Sequence, residues 1–297
     1  HILPYASKHQ VKREASQQVD DYPVIATGSH PDLDALPGFR EGAYSFYTME
    51  EALRLRRALR EFQGGRILLT VGIPHKCPVA VLEFTFMLED QLRQRGLREA
   101  SSIRYTYPIA RLHSLQPVAD WTEELFTQRG IDSDIFFNPE TIDPEKKQVT
   151  TLEGETAEYD MLVAIPPHRG ARLIVDSKLG DAEGWLPTDK RSLQLKGVEN
   201  VFVVGDATDL PISKAGSTAH YESEVVARNL QRLLRGESTA PAYDGKVFCF
   251  IEAGEGQATY ITFDYNQPPQ PTAVNDLIHW FKAAYNEMYW LSLRGLM

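Results

Sequence analysis

The sequence predicts an α/β fold, with helices on the faces of a largely parallel sheet, and two observations lead to this prediction. Between residues 50 and 137, short apolar runs alternate with stretches that carry apolar residues at helical spacing. The run Asn200-Val-Phe-Val-Val-Gly-Asp206 is continuously apolar, as is typical of a strand buried on both faces of a parallel sheet. A chain of 297 residues is long enough for about two domains.

Glycines end most of the predicted helices. Gly64 and Gly65 follow the first one, Gly130 follows a later one, and Gly236 follows the helix that begins near residue 216. Residues 1–21 are polar, and we expect them to be irregular. The predicted strands cover residues 22–26, 66–71, part of 101–118, 131–137, 148–152, 160–165 and 200–206, followed by a hairpin within 242–265. The predicted helices cover residues 50–62, a segment from Pro78, and residues 121–129, 216–235 and 274–293.

Charge and composition exclude several classes of protein. The formal net charge of −10 at pH 7 argues against nucleic acid as a partner. Two cysteines cannot form a disulfide-rich scaffold, and no metal-binding cluster is indicated. No apolar run reaches the roughly 18 residues of a membrane-spanning helix, and the first residues lack the pattern of a secretory signal. Because the chain starts abruptly, we expect a longer natural N-terminus.

Cys77 lies where the strand predicted at 66–71 turns into a helix. In nucleotide-binding folds a glycine-rich phosphate loop occupies this turn, but here it is Gly72-Ile-Pro-His-Lys-Cys-Pro78. The amides at the helix start and the charge of Lys76 would lower the pKa of a thiol placed there. Cys77 is therefore a candidate reactive thiolate, and the alternative is an inert cysteine that packs in the core.

The same turn argues against a nicotinamide cofactor. A dinucleotide needs glycines there, so that backbone amides can approach its pyrophosphate. The segment from Ile73 to Lys76 obstructs that approach, and we expect no use of NAD(P)H.

Four motifs point to a known family. They are Ala26-Thr27-Gly28 after a strand, Cys77-Pro78 at a strand-to-helix turn, Val204-Gly205-Asp206-Ala207, and Tyr243-Asp244-Gly245-Lys246-Val247-Phe248-Cys249. Together they resemble the sulfide:quinone oxidoreductases and the flavocytochrome sulfide dehydrogenases, which are flavoproteins with two dinucleotide-binding domains. The first and third motifs are common to that superfamily. The second, with Glu83 six residues after the cysteine, and the fourth are narrower. The resemblance covers nearly all of the chain from about residue 20.

The resemblance implies two Rossmann-like domains, of the kinds that bind FAD and NAD(P), and a C-terminal amphipathic helical segment. It divides the chain into a remnant of the FAD-binding domain with a connector (1–64), an NAD-like domain carrying Cys77 (65–178), a return to the FAD-binding domain (179–240) and a redox-cysteine and membrane or quinone segment (241–297). The family's Gly-x-Gly-x-x-Gly turn, which holds the FAD pyrophosphate, has no counterpart here. We therefore expect the first domain to be incomplete.

The resemblance also assigns residues to FAD. Ala26-Thr27-Gly28 would run its backbone close to the cofactor, which requires small side chains. Gly205 precedes Asp206, whose carboxylate would accept a hydrogen bond from a ribityl hydroxyl; a helix-cap or turn aspartate is the alternative. Lys214 and the helix start after it would place positive charge near the flavin pyrimidine.

By the same resemblance, Cys77 and Cys249 form a redox pair beside the flavin. Sulfide attacks their disulfide, one cysteine keeps the new sulfur as a persulfide, and the released thiolate passes two electrons to the flavin. Glu83 and His113 match positions near the sulfide pocket, where they would transfer protons. Many family members have a third cysteine where this chain has Tyr47, so only a two-cysteine mechanism applies.

These residues also have simpler explanations. Cys249 would be a buried strand residue, Glu83 an exposed helix glutamate, and His113 a loop histidine that makes one hydrogen bond.

The helix predicted over residues 274–293 is rich in aromatic residues. Its apolar positions recur at three- and four-residue steps, at Leu277, Ile278, Phe281, Tyr285 and Met288. This spacing fits a helix that lies in the membrane interface and receives a quinone, but also one docked on its own protein or on a second copy. Just upstream, we expect Phe263 and Tyr265 to face the quinone. The predicted location is peripheral on a membrane, otherwise cytoplasmic, with the side and homo-oligomerisation left open.

Three functions are compatible with these features. The first is FAD-dependent oxidation of sulfide with a membrane quinone as electron acceptor. The second keeps the sulfide chemistry but passes the electrons to a c-type haem subunit. The third is a non-catalytic protein that keeps the fold, lacks part of the flavin site, and acts by binding partners or a membrane.

Overall fold

A computed structural model describes residues 10–13, 16–19, 21–240 and 242–293. The strands are β1 (Gln10–Arg13), β2 (Ser16–Val19), β3 (Val24–Ile25), β4 (Ser29–Pro31), β5 (Gly65–Val71), β6 (Ser101–Thr106), β7 (Asp132–Asp134), β8 (Pro139–Asp143), β9 (Gln148–Thr151), β10 (Thr156–Glu158), β11 (Met161–Ile165), β12 (His168–Gly170), β13 (Phe202–Val203), β14 (Val247–Gly254) and β15 (Gln257–Phe263). The helices are α1 (Phe39–Gly42), α2 (Met49–Glu61), α3 (Val79–Gln94), α4 (Gln116–Arg129), α5 (Arg172–Ser177), α6 (Gly216–Leu234) and α7 (Asp276–Leu293).

The described residues form two units. The first takes in the residues up to 32, then 168–247 and 263–267. The second takes in 33–167, 248–262 and the residues from 268 onward. Both units therefore contain segments that are distant in sequence.

A four-stranded parallel sheet forms the centre of the second unit. Its strand order is β11-β5-β6-β7, and every neighbouring pair is parallel. Helices α3 and α4 connect its successive strands, as parallel pairing requires. All five residues of β11 and the last five of β5 are buried, because both faces of the sheet are covered. The α/β prediction is confirmed here.

A separate antiparallel sheet, with the order β10-β9-β8, belongs to the same unit. The strand predicted at 148–152 is β9, and it belongs to this sheet and not to the parallel one. Burial alternates along β9, because only one face of this sheet meets the core. The few residues between β9 and β10 allow only an antiparallel return.

The first unit contains a short parallel pair, β3 and β13, in which Val24 lies opposite Phe202. Alternate residues of the predicted strand at 200–206 enter two different apolar clusters, one containing Val203 and the other Phe202. Both of its faces are therefore buried, as predicted. The regular strand is nevertheless only two residues long, because Gly205 has a φ of 71° and begins a 3-10 turn.

Two further predictions needed correction. Residues 10–19, expected to be irregular, contain an antiparallel pair in which Gln10 lies opposite Val19. Backbone hydrogen bonds alone can form such a pair, so a polar sequence does not prevent it. Helix α4 begins at Gln116, five residues earlier than predicted, because Pro117 occupies the first turn, where proline is tolerated.

A buried carboxylate joins α3 to the end of α4. Glu89 is fully buried and accepts hydrogen bonds from Arg93, from Arg98 at 3.3 Å and from Arg129 at 3.1 Å. Arg98 also donates to the carbonyl of Gly130 at 2.6 Å. This network holds together the two helices that connect the strands of the parallel sheet.

Replacing Glu89 is expected to destabilise the protein strongly. In E89Q the buried guanidinium group of Arg98 loses its carboxylate and Arg129 keeps only the exposed Glu255 at 3.8 Å, so we expect the free energy of unfolding to fall by about 3–5 kcal/mol. Urea unfolding followed by circular dichroism measures this. The control is E124Q, at an exposed position on α4, which should change the value by less than about 0.5 kcal/mol. Equal effects of the two substitutions would contradict the prediction.

Candidate active site

Cys77 lies in the turn between β5 and α3, as predicted. Its φ of 47° is left-handed, a conformation that residues other than glycine rarely adopt and that is often found at functional sites. The N-cap of α3 is Pro78, which cannot cap the helix with a side-chain hydrogen bond, and the first turn of α3 is apolar. The positive end of the α3 dipole is therefore directed at this turn.

Tyr47 holds the Cys77 turn in place by a hydrogen bond. Its hydroxyl donates a hydrogen bond to the carbonyl of Lys76 at 2.8 Å. Its ring stacks on Phe46 at 5.3 Å, and Phe46 stacks on Phe84 of α3 at 4.8 Å. Burial raises the pKa of Tyr47 far above its usual range, and the nearby Cys77 raises it further. Tyr47 thus acts as a neutral hydrogen-bond donor at neutral pH.

His113 is fully buried and uncharged. Its Nδ1 accepts a hydrogen bond from the amide of Leu115 at 3.1 Å, so its proton is on Nε2. Within the part of the chain that the structure describes, Nε2 has no hydrogen-bond partner. Burial lowers the pKa of His113 to about 3, with a smaller contribution from His75. At neutral pH this side chain can donate a hydrogen bond but carries no charge.

His75, two residues before Cys77, is also held neutral. Burial lowers its pKa to about 4, and its Nε2 lies 3.2 Å from the hydroxyl of Tyr107. Burial raises the pKa of Tyr107 to about 12. The surroundings of the Cys77 turn therefore include several polar groups that are uncharged at neutral pH.

Cys249 lies on β14 and is half-buried, as is Cys77. Its neighbours Phe248 and Phe250 contact each other edge to face at 4.7 Å, and Phe250 lies 5.9 Å from Tyr285 of α7. These aromatic contacts connect β14 to the C-terminal helix.

Glu83 connects the two cysteine-bearing elements. It lies on α3, and its Oε1 accepts a hydrogen bond from the backbone amide of Glu252 on β14 at 2.8 Å. It also pairs with Lys282 of α7. Burial raises the pKa of Glu83, while Lys282 opposes that increase. The residue is therefore not the exposed helix glutamate of the simpler explanation.

In the first unit, the predicted flavin residues meet at the carboxyl ends of β3 and β13, where ligands bind in open α/β sheets. The hydroxyl of Ser29 donates to a carboxylate oxygen of Asp206 at 2.8 Å. Gly28 has a φ of 69°, and a Cβ built on it would meet open space. At Gly28 the chain thus turns away from the sheet, and this residue has no side chain that would occupy the space at the strand ends.

Lys214 and Glu222 lie next to Asp206. The ammonium of Lys214 donates to the carbonyls of Asp206 at 3.1 Å and Thr208 at 2.5 Å, and lies 4.4 Å from the centre of the Trp185 ring. Glu222 accepts a hydrogen bond from the Gly205 amide at 2.5 Å, and burial raises its pKa to about 7.

Two observations test whether this edge fits a flavin. The N-cap of α6 is Ala215, which cannot cap the helix with a side-chain hydrogen bond. The other carboxylate oxygen of Glu222 is buried and has no partner among the described residues. The start of α6 has no side-chain cap, Glu222 has an unsatisfied oxygen, and Gly28 leaves open space. Together these three features fit the polar part of FAD.

Phe263 and Tyr265 are placed in the first unit. Phe263 is buried, and Tyr265 packs edge to face on Tyr243 at 5.8 Å. The Tyr265 hydroxyl is buried without a partner among the residues that the structure covers. The structure thus places both residues in packed surroundings.

A cavity of about 200 Å³ lies at the carboxyl ends of β5 and β11, and its lining includes Thr70, Gly72, Pro108 and Pro166. A Cβ on Gly72 would lie 2.7 Å from a carbon of the Pro167 ring, so only glycine permits this close approach. Pockets for drug-sized ligands are usually about 300–1,000 Å³. A dinucleotide is too large for this cavity.

Helix α7 has two distinct faces. The inner face carries Ile278, Lys282 and Tyr289, which are wholly or partly buried. The outer face exposes apolar side chains at positions 277, 280, 281, 288 and 291, including Trp280 at 66% exposure. No helix within the described residues is long and apolar enough to cross a membrane.

The sequence did not reveal several groups at this site. His75 and Tyr107 were missed as partners, because their contact depends on how two neighbouring strands end. Glu83 contacts Glu252 and Lys282, which lie 169 and 199 positions away from it in the sequence, and no spacing rule connects these residues. The only available signal was weak: Glu252 lies on the same strand as Cys249.

The Rossmann-type α/β fold is similar to those of several solved oxidoreductase structures. The crystal structure of the sulfide:quinone oxidoreductase from Aquifex aeolicus matches with a TM-score of 0.81 at 23% identity, over 95% of this chain and 71% of that one. Mitochondrial sulfide:quinone oxidoreductase of Mus musculus is 28% identical over 263 residues, which are 84% of this chain and 58% of that protein. The resemblance inferred from the motifs is thereby confirmed.

A third likeness has a different context. A chain in the cryo-EM structure of the Tetrahymena thermophila mitochondrial ATP synthase matches with a TM-score of 0.73 at 22% identity, over 89% of this chain and 69% of that one. At this identity the likeness concerns the fold alone. No protein-family model matches the chain.

The buried neutral His113 predicts a loss of stability in acid. Its folded-state pKa of about 3 lies below the ~6.5 of an unfolded histidine, so between these values the unfolded state binds more protons. Stability is therefore lost as the pH falls below ~6.5, and His113 should account for a loss of about 2 kcal/mol between pH 7 and pH 5.

Urea unfolding at a series of pH values tests this expectation. H113N keeps an acceptor for the Leu115 amide but cannot be protonated, so its stability should fall less steeply than that of the wild type. H30Q, at an exposed position, controls for the loss of one histidine. Parallel pH profiles for H113N and the wild type would contradict a buried neutral His113.

Proposed function

We propose that this protein is a flavoprotein oxidoreductase that oxidises sulfide through a Cys77–Cys249 redox pair and passes the electrons to a membrane quinone. The observation that carries the proposal is the hydrogen bond from the Glu252 amide to Glu83, because it ties the helix that follows Cys77 to the strand of Cys249. The resemblance to sulfide:quinone oxidoreductases supports it. The chain spans 58% of the length of the mouse relative, so the activity, substrates and cofactor are all part of the proposal.

A contact between the two segments supports the pairing of the thiols. Cys77 lies two residues before α3, the helix of Glu83, and Cys249 lies three residues before Glu252 on β14. The hydrogen bond between Glu83 and the Glu252 amide therefore links the segments that carry the two cysteines.

The proposed sulfur chemistry balances in atoms and electrons. In the oxidised protein, HS⁻ attacks one sulfur of the Cys77–Cys249 disulfide. A new S–S bond forms to the sulfide sulfur, the bond between the cysteines breaks, and the products are one persulfide and one thiolate. The helix dipole at the Cys77 turn stabilises a thiolate there. Transfer of the sulfur onward and removal of two electrons restore the disulfide.

Proton transfer would involve two residues with different roles. Glu83, which is partly buried, would accept the proton that sulfide loses. His113 would act as a neutral hydrogen-bond donor through Nε2, because burial keeps it unprotonated. Glu83 as the proton acceptor and His113 as the neutral donor therefore lie in different environments.

FAD is the cofactor we propose, and when bound it would take up the electron pair and deliver it to the quinone. In the first unit, Ala26-Thr27-Gly28, Gly205 and Asp206 would hold it, with Lys214 and the α6 start favouring negative charge on the ring. Phe263 and Tyr265 remain the proposed quinone contacts. We also propose that the chain is divided into four segments, with boundaries after residues 64, 178 and 240.

Sulfide titration of the flavin tests the cysteine mechanism. Under anaerobic conditions, sulfide should bleach the flavin absorbance of the wild type, and C77S and C249S should each slow the bleaching roughly 100-fold or more, since each removes one sulfur of the pair. Reduction of both variants by dithionite is the control that their flavin is bound and reducible. Unimpaired bleaching by sulfide in C249S would refute the mechanism.

The likeness to an ATP synthase chain keeps a non-catalytic function as the second candidate. A protein that purifies colourless and takes up no added FAD would favour it. Co-purification with a haem protein would instead favour electron transfer to a c-type haem.

We further propose that the outer face of α7 rests on a membrane surface, through apolar contacts. Lys282 is the one basic residue between Asp276 and Leu293, and it is engaged with carboxylates, so little electrostatic attraction is available. The side of the membrane stays open.

Vesicle sedimentation with uncharged phospholipid tests this attachment. Trp280→Ser combined with Phe281→Ser should weaken binding tenfold or more, because two large apolar side chains, worth about 1.5–3 kcal/mol each, no longer insert. M49S, which replaces an exposed methionine on α2, is the control and should bind as the wild type does. Equal binding of all three proteins would exclude this face as the attachment site.

A further inference from the structure

Four titratable side chains from three elements meet where α7 packs in the second unit. Lys282 of α7 pairs with Glu83 of α3, and its ammonium lies 3.7 Å from Glu252 of β14. His279, three residues before Lys282 on the same helix, has its Nδ1 2.9 Å from the other carboxylate oxygen of Glu252. The side chains of Glu83, Glu252 and Lys282 are each less than 20% exposed. The cluster is therefore shielded from water rather than a surface ion pair.

The charges of this cluster depend on Lys282. Two carboxylates approach each other here, and the charge of Glu252 raises the pKa of Glu83. Lys282 contacts both and is the cation that the chain itself supplies between them. Burial raises the pKa of Glu83, and Lys282 and the Glu252 amide oppose this. Without the ammonium, the ionised form of Glu83 would lose its main support.

We propose that Lys282 is a positioning residue for Glu83, which it holds as a carboxylate against the strand of Cys249, and that the seating of α7 and the ionisation of Glu83 are linked through this contact. The inference rests on the proposed function, in which Glu83 accepts a proton. The coupling is reciprocal: protonation of Glu83 weakens the hold on α7, and release of α7 raises the proton affinity of Glu83. The position of α7, a helix that we propose rests on lipid, would thus change the proton affinity of Glu83, which we propose acts in the sulfur chemistry.

Carboxyl titration by NMR tests the linkage without any turnover. Protein labelled with ¹³C at the glutamate carboxyl carbon is titrated, and the Glu83 resonance is the one absent from E83Q. The Glu83 midpoint should move to higher pH in K282M, which removes the cation, and stay near the wild-type value in K282R. In E252Q it should move to lower pH, because a like charge is removed. E287Q, at an exposed position on α7, is the control and should leave the midpoint unchanged.

Hydrogen exchange gives a second readout on the same variants. Amide exchange over α7 should accelerate roughly fivefold or more in K282M at neutral pH, and in the wild type the protection of these amides relative to their intrinsic exchange rate should fall when the pH drops below the Glu83 midpoint. A merely structural anchor would accelerate exchange in K282M but would not shift the Glu83 midpoint. An unshifted midpoint in K282M therefore overturns the proposal.

The outcome separates this inference from the proposed function. If the midpoint shifts as expected but sulfide does not bleach the flavin, the linkage stands and the sulfide function fails. If sulfide bleaches the flavin and the midpoint does not shift, the function stands and the role of Lys282 fails. If the sulfide function and the role of Lys282 both hold, the pH profile of flavin bleaching by sulfide should move to higher pH in K282M.

Discussion

The hydrogen bond between the Glu252 amide and the Glu83 carboxylate is the constraint on which the candidate active site depends. It joins residues that are 169 positions apart, and the Glu83 side chain is largely shielded from water, so losing it would leave the Glu252 amide without its acceptor. It also holds α3, which follows Cys77, against β14, which carries Cys249. The ion pair with Lys282 then extends the same constraint to α7.

Around the Cys77 turn, burial keeps most of the polar side chains uncharged. The pKa values of His75 and His113 are lowered to about 4 and about 3, and that of Tyr107 is raised to about 12. A thiolate in such surroundings meets hydrogen-bond donors and the end of a helix dipole, but no buried histidine cation. Carboxylates and an ammonium group are instead collected around Glu83, where Lys282 contacts both Glu83 and Glu252.

The fold alone does not decide what the protein does. Closely similar architectures occur in an Aquifex sulfide:quinone oxidoreductase and in a chain of the Tetrahymena ATP synthase structure. The proposed function therefore rests on particular groups: two half-buried thiols, the partly buried Glu83 on the helix after Cys77, and an uncapped helix start at the carboxyl edge of β3 and β13.

Local information in the sequence determined the α/β class, most helices and strands, and the turn that carries Cys77, because apolar periodicity and helix-ending glycines act over a few residues. It also contained motifs specific enough to indicate the family, a resemblance that the comparisons confirmed. Tertiary structure decided the rest. The neutrality of His113 and the contact of Glu83 with Lys282 depend on burial and on chain segments up to 199 residues apart. Desolvation and long-range contacts have no signature in residue spacing, which is why a helix glutamate could not be recognised in advance as the link between three elements.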